Sequence, residues 1–392
     1  MAFRGLPSIK VQHAVKFRNS LPKNATFKRS SFTRSEQTIA LNRKVETPKS
    51  NTLGFSVIEH DLEQLKQNFL ARLLDESVEP FFRQMDSTVG KFKEQNLFFR
   101  ARILLMITRA LESHFKKTPF VEINKNQHTR YIELAAIVEM IHAASSILNN
   151  NAVNITSPSK EKLLSILSGD YLLAQASVSL AKLRNHDVTE IISTAISQIA
   201  EGQFFQHVFP PVARGIPVGS PFSTPTFPYG LSTAIHFHLN RLNFQFSSLM
   251  EAGCQSAVLL CTDTENTGGD VNNLVQVTQQ IGGSLCIAKK LMDDVRLFEK
   301  ETGVASGSMP LPVLLAKDEF PELNQLIQDG FHSESDIKKV HDLVIQSKTA
   351  ALPRELATLY VNKAVYNISQ LGPSPARDSL HELANSVLST TG

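Results

Sequence analysis

The chain offers few residues whose type and spacing could do chemistry. Asp293 and Asp294 are an adjacent carboxylate pair in a helical stretch, with Lys289 and Lys290 four positions before them. A self-paired acidic turn therefore competes with a metal-holding role. His236 and His238 stand two apart in a helical run and point to different faces, which argues against a shared metal. Asp263, Glu265 and Asp270 resemble an acidic loop, but no bidentate Glu follows at calcium-loop spacing, so they read as a solvated turn. No P-loop, H-E-x-x-H, Gly-x-Ser-x-Gly or Rossmann glycine pattern is present. The three cysteines, Cys254, Cys261 and Cys286, give no disulfide framework and no C-x-x-C spacing, which favours a reducing compartment. Asn24, Asn154 and Asn367 lie in N-x-Ser/Thr triplets, which matter only in a secreted protein.

The elements that would position such residues are helices. At 392 residues and 43.4 kDa, with 42% hydrophobic and 20% charged residues, the chain can bury a large core and is not a disordered or collagen-like sequence. From Tyr131 to Leu148 the apolar or small positions fall at 131, 134, 135, 138, 141, 145 and 148, a spacing of three and four. Similar runs cover 96–117, 160–184, 188–209, 231–261 and 271–300. Asp187 with Glu190 and Ser333 with Asp336 look like capping boxes, and Pro375 behind Ser374 suits the first turn of a last helix. No alternating strand or internal repeat is evident. The pattern predicts an all-α domain over 55–392 with a proline-rich loop at about 210–230. No membrane span is expected, because the long uncharged stretch Gly215–Asn240 carries Pro217, Pro221, Pro225 and Pro228.

Charge divides the chain. Residues 1–50 hold eleven Lys or Arg against Glu36 and Glu46, and the first 35 have no acid at all. The remaining 29 basic and 35 acidic residues make the body mildly acidic, which argues against nucleic-acid binding. A basic, Ser-containing, acid-free start without an apolar core is the composition of a mitochondrial import peptide; a disordered basic arm is the alternative.

Four segments in order carry a resemblance: Glu139–Leu148, Leu167–Leu183 (around Gly169-Asp170-Tyr171-Leu172-Leu173-Ala174), Ser248–Ala257 and Leu291–Phe298. Together they resemble the all-trans polyprenyl diphosphate synthases over roughly 60–390. The resemblance implies a large antiparallel helix bundle around a central cavity, usually dimeric. Two Asp-rich motifs on facing helices would hold Mg²⁺, which neutralises the diphosphate leaving group as the C–O bond breaks. It also implies that the helix bearing Ala174, Ala176, Ser177, Ser179 and Ala181 lies at a subunit interface, core packing being the competing reading. Small residues at Ala144 and Ser145 are consistent with the open product corridor of a long-chain synthase, ordinary helix packing being the competing reading.

The sequence departs from the family's pattern at its charged positions. Asn149 and Asn150 begin the first motif and Val153 ends it. The upstream Gly-Gly-Lys-Arg-x-Arg-Pro segment matches Leu97–Ile103, which keeps only Arg100 and Arg102. The Lys-Thr pair falls on Gln245 and Phe246, and the second motif keeps Asp293 and Asp294 but ends at Leu297. Electrostatic stabilisation is usually the largest catalytic term, so these losses together predict a chain with no catalytic residues of its own. Arg100 and Arg102 remain as substrate-binding remnants, Asp293 and Asp294 as metal-binding remnants. The chain resembles the second, non-catalytic subunit of heteromeric decaprenyl or solanesyl diphosphate synthase. That resemblance implies a mitochondrial matrix protein inactive alone, serving ubiquinone biosynthesis. Mg²⁺ and the allylic and isopentenyl diphosphates would bind in the catalytic partner. An active long-chain prenyltransferase with degenerate metal sites, and a prenyl-lipid-binding helical module, are the alternatives.

Overall fold

A computed structural model of the chain describes residues 53–73, 98–115, 127–152, 160–208, 233–261, 270–299, 310–317, 319–329 and 334–389. Every regular element among them is helical, as the apolar periodicity predicts. In chain order they are α1 (Leu53–Leu73), α2 (Phe99–Phe115), α3 (Gln127–Ala152), α4 (Lys160–Lys182), α5 (His186–Val208) and α6 (Thr233–Leu242). A π-turn, Asn243–Ser247, leads directly into α7 (Ser248–Cys261). Then follow α8 (Asp270–Glu299), α9 (Leu311–Ala316), α10 (Pro321–Asp329), α11 (Glu334–Gln346), α12 (Leu352–Ile368) and α13 (Pro375–Ser386). The basic leader, the proline-rich loop, the Asp263–Glu265 loop and the Ser333 cap lie outside the described residues.

The core forms around α7, which packs on α2, α3, α5 and α8. Leu249, Met250, Cys254, Ala257, Val258 and Leu260 of this helix are buried, which fits a segment apolar on every side. Helix α3 is buried beyond the predicted stripe. Ile132, Ala136, Ile137, Met140 and Ala143 are as inaccessible as Tyr131, Leu134 and Val138. It is surrounded by α1, α2, α4 and α7, so one amphipathic face cannot describe it. A smaller cluster, with Phe298, Val313, Leu323, Val340 and Val344, joins the end of α8 to α9, α10 and α11.

Helix starts follow the sequence unevenly. Ser374 caps α13 by accepting from the Arg377 N–H at 3.2 Å, with Pro375 in the first turn, as expected. At α5 the cap is Asn185, whose Oδ1 accepts from the Val188 N–H at 3.0 Å. Asp187 lies inside the first turn instead, where a carboxylate still favours the helix dipole.

α3 and α4 are each long and apolar enough, by length and composition, to cross a membrane. For α3 burial explains this, since 72% of its apolar window is inside the bundle. For α4 only 39% is, because it packs along α3 and only lightly on α5.

Candidate functional site

The second acidic motif sits on α8, and its carboxylates already have cationic partners. Lys289 Nζ lies 2.5 Å from Asp293 Oδ1, and Arg296 Nη1 donates to the same oxygen at 3.1 Å. Lys290 Nζ is 2.9 Å from Asp294 Oδ1. The spacing i to i+4 stacks each ammonium on its carboxylate along one helix face. Asp293 is 40% exposed while Asp294 is only 6% exposed. Burial, the largest single influence, pushes the Asp294 carboxyl up, but the Lys290 ammonium and the neighbouring His238 together outweigh it and hold the group below the ordinary carboxylate range.

Helix α6 closes over Asp294 with His238 and Arg241. His238 Nε2 faces Asp294 Oδ2 at 3.6 Å, beyond hydrogen-bond reach, so Lys290 is the partner that counts. Arg241 Nη2 lies 3.2 Å from His238 Nδ1, a nitrogen that must therefore accept. Burial, with the Arg241 charge adding, lowers the His238 pKa despite Asp294, and the imidazole is neutral.

The π-turn carries the residues where the family has its Lys-Thr pair. It inserts an extra residue into what the periodicity predicts as one helix over 231–261. Gln245 Nε2 donates to the Gly202 carbonyl at 2.9 Å, and the Phe246 ring lies 5.7 Å below Lys290 Nζ. Here a neutral amide and an aromatic face occupy the place of a phosphate grip.

At the first motif, Asn149 ends the described side chains of α3, and those of Asn150 and Val153 lie outside them. Asn149 Oδ1 is buried and finds no hydrogen-bond partner in the protein. It borders a small pocket of about 40 Å³, formed with His142, Ser145, Ser146, Gln203, Gln245 and Phe246. Burial, helped by the Arg100 charge, drives the His142 pKa well down, so that imidazole is neutral too.

Arg100 lies inside the bundle rather than on a phosphate-facing surface. Its residue is 9% exposed and its Nε has no partner. Glu139 on α3 accepts the Ala101 N–H at 2.8 Å and so caps α2 across 38 residues of sequence. Burial pushes the Glu139 carboxyl up, against the opposing pull of Arg100 and of the backbone amides it accepts. Arg102 is half-buried. Just before them, Phe98 has φ of +70°, a left-handed conformation rare outside glycine. This is the position of the second glycine in the family's segment. Phe98 fills it with a buried ring packed edge-on against Phe69 at 5.6 Å.

Asp293 and Asp294 share α8 with their neutralising lysines, while Arg100 and Arg102 lie on α2, where Glu139 accepts the Ala101 N–H. Among the described residues no three His, Cys, Asp or Glu side chains come together. A hard divalent ion needs several charged carboxylate oxygens, and cations already lie on Oδ1 of both Asp293 and Asp294, offsetting the charge that would hold it. The donor set does not fit Mg²⁺. Sequence reasoning missed Arg241 and Gln203 and the place of His238 beside Asp294; Ser145 is 58 residues from Gln203, and Asp294 is 56 from His238, so no local spacing marks these approaches.

The interface segment also divides. Ala176 and Ser179 are buried within the chain at 1% and 2% exposure. Leu163, Ile166, Leu167, Asp170, Ala174, Ser177, Val178 and Ala181 form the exposed stripe of α4. Their spacing of three and four continues over most of a helix about 34 Å long.

This arrangement of helices, with acidic-motif positions on α3 and α8, defines an isoprenoid-synthase-type bundle. Residues 158–344 match the profile of the polyprenyl synthetase family. The chain is 26% identical over 383 residues to decaprenyl-diphosphate synthase subunit 1 of Schizosaccharomyces pombe, covering 87% of this chain and 94% of that protein. It is 30% identical over 272 residues to a probable mitochondrial hexaprenyl pyrophosphate synthase of Yarrowia lipolytica, covering 65% of this chain and 56% of the relative. The fold matches the crystal structure of a polyprenyl synthase from Caulobacter crescentus, with a TM-score of 0.67 at 19% identity, over 88% of this chain and all of that one.

Proposed function

We propose that the chain is a non-catalytic subunit of a heteromeric trans-polyprenyl diphosphate synthase that makes the ubiquinone side chain. The observation that carries this reading is the neutralisation of Asp293 and Asp294 by Lys289, Lys290 and Arg296. A synthase needs that motif to gather divalent ions around a departing diphosphate, and here internal cations take their place. Mg²⁺ and the allylic and isopentenyl diphosphates are accordingly assigned to the catalytic partner. The fission-yeast relative, named as a subunit 1, supports a division of labour between chains.

The largely apolar and small-residue stripe on α4, with Asp170 as its one acidic member, supports a protein partner there. Its exposed Leu163, Leu167 and Val178 are about half accessible, and a packed helical partner would bury them. Mitochondrial residence, in the matrix, is supported by the basic leader and by the mitochondrial Yarrowia relative.

The test is co-expression with a catalytic synthase subunit, scoring co-purification and long-chain product for the wild type and for Asp293→Asn. Asp293 is the more exposed member of the pair, so its change spares the fold. The expected result is an intact complex with product unchanged. Loss of product from an intact complex would show that this chain takes part in the chemistry.

A further inference from the structure

Arg296 stands between the surviving acidic pair and the last helix of the chain, and its guanidinium meets three acceptors. Nη1 donates to Asp293 Oδ1 at 3.1 Å. Nη2 donates to the Val387 carbonyl at 3.2 Å and to the Ser389 carbonyl at 2.8 Å, groups that lie 91 and 93 residues further along the chain. On the same Asp293 oxygen sits Lys289 Nζ, at 2.5 Å, which pins the carboxylate that Arg296 leans on. The Arg296 side chain is 18% exposed, so these bonds are largely shielded from water.

The end of α13 needs such a donor. Its buried stripe, Ala376, Leu380, Leu383, Ala384 and Val387, serves the packing of this helix on α1, α2 and α12. A helix ends in carbonyls that have no donor within the helix. Here Ser386 Oγ donates to the Leu383 carbonyl at 2.7 Å. The N–H groups of Val387, Leu388 and Ser389 donate to the carbonyls of Ala384, Asn385 and Ser386 at 3.3, 3.3 and 3.1 Å, a tightened last turn. The Val387 and Ser389 carbonyls fall beyond that turn, and Arg296 takes both. A cation at this end also complements the helix dipole. The planar fork of arginine can serve a carboxylate and two carbonyls together, whereas a lysine offers a single point charge.

We propose that the second acidic motif is built as a clamp that fastens the C-terminal helix to α8. Asp293 is the positioning residue and Arg296 the fastener. Helix α13 is thereby a strap over α1 and α2, which loosens from its C-terminal end when the clamp is broken while the core around α7 stays folded. The clamp gives Asp293 a use that requires no metal ion. It goes beyond the subunit reading and operates in the chain by itself.

The experiment is native-state amide hydrogen exchange on the full chain, read by mass spectrometry, for the wild type, Arg296→Gln and Arg296→Lys. In Arg296→Gln, exchange at Val387–Ser389 should rise about tenfold, the factor that about 1.4 kcal/mol represents, with α7 peptides unchanged. Arg296→Lys should also speed exchange there, because charge without the fork does not hold both carbonyls. Wild-type exchange at these residues should be the same with and without millimolar Mg²⁺. Unchanged exchange at Val387–Ser389 in Arg296→Gln overturns the clamp, and so does a rise that is equal in α7. Faster wild-type exchange at Val387–Ser389 in Mg²⁺ also overturns it, since the ion would then take Asp293 from Arg296. If Arg296→Gln does not fold, Arg296→Lys, which keeps the charge, decides by the same readings. Failure of the subunit reading is separate, because it appears as no complex or as product lost in Asp293→Asn.

Discussion

Removing the Lys290 ammonium should expose how completely it stands in for a metal ion. In Lys290→Gln, Asp294 loses its partner at 2.9 Å while remaining 6% exposed. The Coulomb attraction of such a pair is roughly 6 kcal/mol at an effective dielectric constant of 20. Lys290 is itself 31% exposed, and part of that attraction only offsets the cost of bringing the charges out of water. Arg241 stays nearby and takes up some of the carboxylate's field. A net destabilisation of about 2–4 kcal/mol remains, at the lower side of what breaking a buried pair costs. For a helical unit of this size that lowers Tm by about 3–6 °C, at roughly 1.4 °C per kcal/mol. The double variant Lys290→Gln/Asp294→Asn should recover at least half of the loss, because no unpaired charge is left behind. Thermal unfolding with and without millimolar Mg²⁺ is the assay. Two results would refute the reasoning: a single variant as stable as the wild type, or a wild type stabilised by Mg²⁺ as strongly as an intact synthase subunit.

Three further outcomes follow from the geometry. Ser177→Leu, on the exposed stripe, should lose the partner while the isolated chain melts normally. Ala176→Leu should instead overpack the chain's own core by about 1–3 kcal/mol, which parallel co-purification and thermal unfolding would separate. Phe98→Gly should be more stable than Phe98→Ala by about 1 kcal/mol, the reverse of the usual order. Both lose the ring, but only glycine adopts φ of +70° without strain, and equilibrium urea unfolding checks the sign. Stability should fall as pH drops below about 6.5, because His142 and His238 are held neutral when folded and bind protons when unfolded. The slope reaches at most about 2.7 kcal/mol per pH unit if both contribute, and His238→Asn should roughly halve it in urea titrations between pH 5 and 7.

Much of the fold was legible from local pattern. The three-and-four spacing at 131–148 and in the other runs required helices, because only that period puts the apolar residues on common faces. The Ser374-Pro375 start needed nothing beyond its own turn. The missing carboxylates were equally plain, since a side chain's charge does not depend on where the chain folds. Lys289 and Lys290 could be paired with Asp293 and Asp294 from sequence alone, because four residues on a helix bring side chains together whatever surrounds them.

What depended on distant segments stayed hidden until the helices were placed. The interface helix was visible as a run of small residues, but only its packing along α3 decides that Ala176 faces inward and Ser177 outward. Ala144 and Ser145 could be read from sequence only as small residues; that Gly169, 25 residues from Ala144, packs against its carbonyl and that Gln203, 58 residues from Ser145, donates to its hydroxyl depend on how α3, α4 and α5 pack. The π-turn interrupts a periodicity that reads as unbroken, and it positions Gln245 against Gly202. Arg100 kept its residue type, but its burial within the bundle could not be read from its neighbours in sequence. Charge and helical period are properties of neighbouring residues, and the sequence determined them. Which atoms a side chain meets across the bundle is set by how whole helices pack, and only the tertiary structure decided that.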